Sequence, residues 1–269
     1  FPPAPPGEEK GEQTMNLFDT HAHYDDQAFD ADRDDLLASL PDRGVTLVVN
    51  PGCDVPSSRR AVELSERFPH VYAAVGIHPE NCGGYDPADL AAIRDLAAAP
   101  KVRAIGEIGL DYYWEENPPR ELQQRVFRDQ MALAEELDLP VIVHDREAHG
   151  DSLAIVRAFP RVRGVFHCYS GSVEMARELV KLGWMISFTG VLTYKNARKA
   201  VETAREIPLE RLMIETDSPY MAPVPCRGRR CDSTLVRYVC EKLSEIKGIS
   251  PEECARITLE NGKRFFRIP

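Results

Sequence analysis

The chain lacks any apolar run approaching the roughly 18 residues that a membrane span requires, which excludes a bitopic or polytopic helical membrane protein. No GxGxxG or GxxxxGK loop is present, so nucleotide-cofactor and P-loop readings lose their support. Internal repeats, low-complexity tracts and heptad runs are also missing, which removes solenoids and coiled coils. The seven cysteines (Cys53, Cys82, Cys168, Cys226, Cys231, Cys240 and Cys254) are odd in number and scattered. In a chain this large that favours free thiols in a reducing compartment, and the expected location is the cytoplasm. Excess positive charge is lacking too. The formal charge is −10, so no general polyanion-binding field surrounds the protein, and any contact with nucleic acid must be local.

Residues Phe1 to Thr14 are rich in proline and acidic residues, with neither a basic n-region nor an apolar h-region, and do not read as a secretory signal. They are expected to be a disordered upstream tail, with one domain over residues 15–269 beginning at Met15. That length is large for a single domain but ordinary for an α/β barrel.

Short β-branched runs recur along the chain at Leu17 to Asp19, Thr46 to Val49, Val71 to Gly76, Val102 to Ile105, Val141 to His144, Gly164 to His167, Trp184 to Phe188 and Leu212 to Glu215. Between them lie helical stripes such as Leu122, Val126, Leu133 and Leu137, or Ala61, Leu64 and Phe68 ahead of Pro69. Strands this apolar suit a parallel sheet buried on both faces, and eight β/α units close a TIM (β/α)8 barrel; a doubly wound open sheet is the alternative. Beyond the eighth run, Leu235, Val239, Leu243 and Ile246 mark a helix. Ser250, Pro251 and Glu253 predict a capping box opening the last one.

The chemistry concentrates at strand ends. His21 and His23 stand two apart after the first run, a spacing that puts both imidazoles on one face of extended backbone. Glu107, His144, His167 and Asp217 follow the fourth, fifth, sixth and eighth runs. In a barrel all these ends meet on the C-terminal face, where active sites are built. Four imidazoles and two carboxylates exceed one tetrahedral site and suit two adjacent divalent metal ions sharing a carboxylate, with a water acidic enough to supply hydroxide near neutral pH. Asp217 is the expected proton acceptor, and donor softness favours Zn, Mn or Fe over Mg. The expected partition gives His21, His23 and Asp217 to one metal and His144 and His167 to the other, with Glu107 bridging.

Six ordered motifs, Asp19-Thr20-His21-Ala22-His23, Gly76-Ile77-His78-Pro79, Gly106-Glu107-Ile108-Gly109-Leu110-Asp111-Tyr112-Tyr113, Pro140-Val141-Ile142-Val143-His144, His167-Cys168-Tyr169-Ser170-Gly171 and Glu215-Thr216-Asp217-Ser218-Pro219-Tyr220, resemble the TatD family of metal-dependent deoxyribonucleases from Met15 to Phe266. The resemblance implies a TIM barrel, Mg²⁺ or another divalent metal, and phosphodiester hydrolysis, often as a 3′ to 5′ exonuclease on DNA. It also implies that the metal ligands are His21, His23, Glu107, His144, His167 and Asp217. The chain departs from the family after the eighth strand. Where the family continues Pro-x-x-His-Arg-Gly-Lys-x-Asn-Glu-Pro, this sequence has Cys226 for the histidine and Cys231 for the asparagine. These are read as two unpaired loop thiols, with a soft-metal or oxidised pair as the alternative.

Substrate contacts are expected from Arg146, Arg227 and Arg229, whose guanidinium forks suit phosphate oxygens, and from His78 lining the cleft, which a hydrogen bond to a ligand would serve equally. Tyr112, with Tyr113 and Trp114, could stack on bases of a single strand or bury against neighbouring loops. The expected substrate is DNA, single-stranded or at 3′ ends, acted on by a monomer. Two readings compete with a nuclease. One is an amidohydrolase-like enzyme cleaving an amide, ester or lactone, against which stands Glu107 where many such enzymes place a modified lysine. The other is a barrel that has lost catalysis and only binds.

Overall fold

A computed structural model describes residues 15–269, and the tail expected over residues 1–14 lies outside the described residues. Eight parallel strands run in sequential order: β1 (Leu17–Asp19), β2 (Val45–Pro51), β3 (Val71–Val75), β4 (Val102–Asp111), β5 (Val141–Arg146), β6 (Gly164–Phe166), β7 (Met185–Phe188) and β8 (Leu212–Ile214). Helices α1 (Arg33–Ser39), α2 (Val55–Arg67), α3 (Pro87–Ala97), α4 (Arg120–Leu137), α5 (His149–Ala158), α6 (Val173–Lys181) and α7 (Arg198–Glu206) fill the connections, and α8 (Val236–Lys247) and α9 (Pro251–Phe266) end the chain. This is a TIM barrel. The open doubly wound alternative is excluded by the sequential strand order and by a seam joining β1 to β8. There Thr20 N–H donates to the Ile214 carbonyl at 3.2 Å, Asp217 N–H to that of His21 at 2.9 Å, and His23 N–H to that of Ser218 at 2.7 Å.

Strand alternation divides the core in two. Phe18, Val49, Ala74, Ala104, Ile142, Val165, Met185 and Met213, one from each strand, fill the barrel, and Phe266 and Ile268 close it from below. Their strand neighbours, such as Val48, Ile105, Val143, Phe166 and Ile214, belong instead to the larger core that includes helix residues. Local chemistry starts the helices. Asp54 with Ser57 and Asp86 with Asp89 form complete capping boxes at α2 and α3. The box expected at α9 is half formed: Ser250 accepts from Glu253 N–H at 3.1 Å, and the reciprocal bond from the Glu253 side chain is not made.

The fourth apolar run read from the sequence ends at Ile105, whereas β4 continues to Asp111. Gly109 explains the difference. It sits at φ +138°, and a Cβ there would lie 2.0 Å from the His144 carbonyl oxygen, so a glycine is what lets β4 keep pairing with β5. The extension carries Glu107 and Asp111 along one side of the strand toward the mouth.

Candidate metal centre

Each of the six expected ligands lies at the C-terminal face, and the structure brings all six together. His21 follows β1 and is fully buried, with its Nε2 3.0 Å from His23 Nε2. Asp19 anchors this corner: its carboxylate accepts from Thr216 N–H at 2.9 Å and Thr216 Oγ1 at 2.6 Å, tying β1 to the segment after β8. Burial pushes the Asp19 carboxyl up to about 7 against those donors.

Glu107 sits between two groups of imidazoles. Its Oε2 lies 3.2 Å from His21 Nε2 and 3.4 Å from His23 Nε2, while its Oε1 lies 2.7 Å from His167 Nε2 and 3.0 Å from His144 Nδ1. Asp217 Oδ1 joins the first group at 3.6 Å from His21 Nε2 and 3.5 Å from His23 Nε2. It does so from a backbone at φ +59°, a left-handed conformation that aspartate tolerates better than most residues.

Outer partners settle which nitrogen faces inward. A carbonyl only accepts, so His23 Nδ1, 3.2 Å from the Pro51 carbonyl, carries a proton and the ring is oriented with Nε2 facing the site. His144 Nε2 meets Asp111 Oδ2 at 2.9 Å, which leaves Nδ1 inward. His78 is arranged the other way. Its Nδ1 accepts from Glu80 N–H at 3.2 Å, so Nε2 is the protonated nitrogen and points at Glu107 Oε1 from 3.4 Å. His78 thus acts on Glu107 through charge at 3.4 Å, and its side-chain hydrogen bond is the one to Glu80 N–H.

The electrostatics favour a cation. Burial opposes charge on Glu107, yet the imidazoles of His167, His78 and His21 hold its carboxyl well below the ordinary range. Burial likewise opposes charge on His144, but Asp111 and Glu107 push it up to about 9. His167 is driven well above its usual value against burial by Glu107, while burial and the His167 charge lower His21. Buried carboxylates therefore stay ionised by drawing protons onto neighbouring imidazoles, the same positive charge that divalent cations would provide. His21 Nδ1 is buried without a hydrogen-bond partner, and the close His21–His23 nitrogen pair needs a proton or cation between its lone pairs. The nitrogen and carboxylate donors fit a divalent cation. Ligand atoms of His21, His23 and Asp217, and separately of His78, Glu107 and His144, all lie within 4.8 Å of one another.

Of the expected substrate residues, His78 joins this centre, and Arg146, Arg227, Arg229 and Tyr112 lie outside its donor cluster. Arg146 ends β5 with its guanidinium 3.9 Å from the Tyr113 ring centroid and 5.3 Å from that of Trp114. Tyr113 and Trp114 are 51% and 45% exposed, so these two rings are open to a ligand. Tyr112 is committed elsewhere: its hydroxyl meets Asp151 Oδ2 at 2.8 Å and Gln124 Nε2 at 2.8 Å, and Arg120 covers its ring at 4.3 Å. Arg227 lies over Tyr194 at 4.2 Å and, with Arg229, lines a cavity of about 550 Å³ that also includes Tyr220 and Met221. Arg230 is spent on Asp32 at 2.6 Å. Both loop cysteines are free thiols, and burial pushes Cys231 up to about 12. His70 and His149 stay outside the cluster.

Sequence reasoning missed the supporting carboxylates. Asp111 lies four residues beyond Glu107 on the same side of β4, a period-two signal hidden by ending that strand early. Glu215 was quoted within a motif but given no task. Its Oε1 accepts from Cys168 N–H at 2.6 Å and lies 3.3 Å from His167 Nδ1, and its Oε2 accepts from Ser187 Oγ at 2.7 Å.

The family model for TatD-related DNases matches residues 18–267. An uncharacterised metal-dependent hydrolase of Bacillus subtilis, YabD, is 44% identical over 254 residues, covering 94% of this chain and 99% of its own length. A Salmonella typhimurium relative named as the 3′-5′ ssDNA/RNA exonuclease TatD is 31% identical, with 94% and 99% covered. Among solved structures, the TatD homologue YjjV of Escherichia coli superposes with a TM-score of 0.89 at 31% identity, covering 95% of this chain and 100% of its own. A donor set suited to divalent cations at the mouth of a TIM barrel, and relatives matching nearly end to end, place this chain in the TatD family of metal-dependent hydrolases.

Proposed function

We propose that the protein is a two-metal phosphodiesterase that removes nucleotides from the 3′ ends of single-stranded DNA, with His21, His23, Glu107, His144, His167 and Asp217 as its ligands. The observation that carries this reading is the position of Glu107, whose Oε2 faces His21 and His23 while Oε1 faces His144 and His167. Divalent ions bound there supply Lewis acidity and lower the pKa of an attacking water toward neutrality. Glu107 holds the two halves of the site in one geometry. Asp217 accepts the proton of the attacking water; burial raises its carboxyl, but His23, His21 and His167 together draw it below the usual range, so it is ionised and ready as a base. Arg146 is placed to receive a phosphate oxygen, and the exposed Tyr113 and Trp114 beside it to stack on bases. The name of the Salmonella relative supports nucleic acid as the substrate class.

The test is digestion of 3′-labelled single-stranded DNA by purified protein with Mg²⁺ or Mn²⁺, beside a panel of esters and lactones. Shortening from the labelled end, abolished by EDTA and by Asp217→Asn, is expected. Asparagine tolerates the same left-handed backbone, so that variant reads chemistry with the fold preserved. Intact DNA under every metal, with turnover of an ester or lactone, would overturn the proposal in favour of small-molecule hydrolysis.

A further inference from the structure

The opposite end of the barrel holds a second basin, unconnected with the metal centre. It lies beneath the N-terminal ends of β5 to β8, where Pro140, Arg163, Gly183 and Arg211 lead into the strands, and is walled by the C-terminal end of α9. Its volume is about 820 Å³, within the range of pockets that hold small organic ligands.

Charge distinguishes this basin. The whole chain carries −10, yet five arginines, Arg161, Arg163, Arg211, Arg264 and Arg267, face only three carboxylates, Glu135, Asp138 and Glu210. The guanidinium groups are also underused. Arg161 spends Nε on Glu135 at 3.0 Å, and Arg267 spends Nη1 on Asp138 at 2.9 Å. Arg211 gives Nη1 to the Gly183 carbonyl at 3.3 Å, and Arg264 gives Nη2 to Asn261 Oδ1 at 2.8 Å and the Glu210 carbonyl at 3.2 Å. The Arg163 carbonyl accepts from Val141 N–H at 2.9 Å, while its guanidinium has no hydrogen-bond or ion-pair partner among the described residues. A guanidinium carries five N–H donors, so most of the donor capacity here is unspent. Arg230, by contrast, commits Nη1 and Nη2 to the two oxygens of Asp32, and Arg94 commits both to Glu136. Bracing of α9 accounts for Arg264 and Arg267, Arg211 uses one nitrogen to hold the Gly183 carbonyl, and the Arg163 guanidinium is left without a structural task.

We infer that this basin binds a phosphate monoester of nucleotide size, its phosphate held by Arg163, Arg211 and Arg264. Planar forks with free donors match phosphate oxygens bidentately. The volume exceeds what a bare phosphate fills. The half-buried Phe265 ring, with Leu139 and Pro140, gives the remainder of such a ligand an apolar wall.

Arginine modification by phenylglyoxal, mapped by peptide mass spectrometry, tests this on the intact metal-loaded protein with residue resolution. Deoxyadenosine 5′-monophosphate is the probe, inorganic phosphate at matched ionic strength the comparison, and the exposed Arg59 the internal control. Saturating nucleotide is expected to slow labelling of Arg163 and Arg211 by at least about fivefold while Arg59 is unchanged, with phosphate protecting less at equal concentration. Protection should persist in Asp217→Asn, which separates this basin from the catalytic face. Arg163→Glu with Arg211→Glu, checked for an unchanged melting temperature, should weaken nucleotide protection of Arg264 roughly tenfold or more. Equal labelling with and without nucleotide overturns the site. Equal protection by phosphate overturns its nucleotide size, and loss of protection in Asp217→Asn overturns its independence from the metal centre.

Discussion

His144 touches Glu107 through one nitrogen and Asp111 through the other, so the orientation of an expected ligand depends on a carboxylate that never reaches the centre. Outer partners of this kind fix tautomer and raise ligand basicity. Asp111→Asn is accordingly expected to lower divalent-metal affinity about 10- to 100-fold with the fold intact, read by equilibrium dialysis with metal analysis. Unchanged affinity would show that Glu107 alone orients the ring. The convergence of the six expected ligands was legible because each lies at the end of an apolar run or within a few residues beyond it, a position the sequence marks. Asp111 and Glu215 were not, since their tasks appear only once neighbouring strands bring His144 and His167 against them. His149 offers a separate test of residue chemistry. Its Nδ1 lies 2.6 Å from Asp145 Oδ2, and that bond raises its pKa against the effect of partial burial. A raised histidine stabilises the folded state fully below the unfolded value of about 6.5 and loses that contribution as pH rises through the folded value. His149→Gln should therefore cost stability below about pH 6.5 and converge with the parent protein in alkaline buffer, with a gap under about 1 kcal/mol because the ring is partly solvated. Urea midpoints at a series of pH values measure it, and a gap that widens with pH would contradict the assignment.

Closure of the barrel from below depends on α9 approaching β1, and the contact has no spare room. A Cβ on Gly262 would lie 2.5 Å from Phe18 Cδ1 and 2.7 Å from Cε1, and Phe18 is one of the eight side chains filling the barrel. Gly262→Ala improves helix propensity by about 1 kcal/mol but overpacks this joint at a cost of about 1 to 3 kcal/mol, so a net loss is expected, seen as a lower urea midpoint with unchanged slope. A higher midpoint would mean that Phe18 yields without strain. Period and punctuation made most elements legible: the runs before Pro69 and after Pro140 fall where α2 and β5 lie. The reading failed where a glycine serves close packing and does not end an element. Gly106 and Gly109 look like breakers in a single chain, whereas the clash of a Cβ with β5 is a property of two strands together. The half-formed capping box of α9 follows the same logic, for spacing supplies the residues but not the side-chain conformer that returns the second bond.

At the scale of the molecule, recurring apolar runs with helical stripes between them sufficed for a parallel barrel, because only eight sequential units bury both faces of every strand without an edge. Charge is less uniform than the composition suggests, and this bears on how a polyanion could be held. A chain of net charge −10 repels nucleic acid in general, so contact falls to local cations such as Arg146, Arg227 and Arg229, while Arg230 is paired with Asp32. If each neutralises one phosphate of a single strand, kcat/KM for DNA should fall with salt at a log–log slope of about −2, from roughly −0.7 per contact. Arg227→Ala with Arg229→Ala should flatten that slope by about 1.4 while leaving metal content unchanged. Digestion rates measured across a salt series decide the matter. A far steeper slope would require an extended basic track that the acidic surface does not offer, and a flat one would mean that recognition rests on the exposed Tyr113 and Trp114 rings and the metal centre alone.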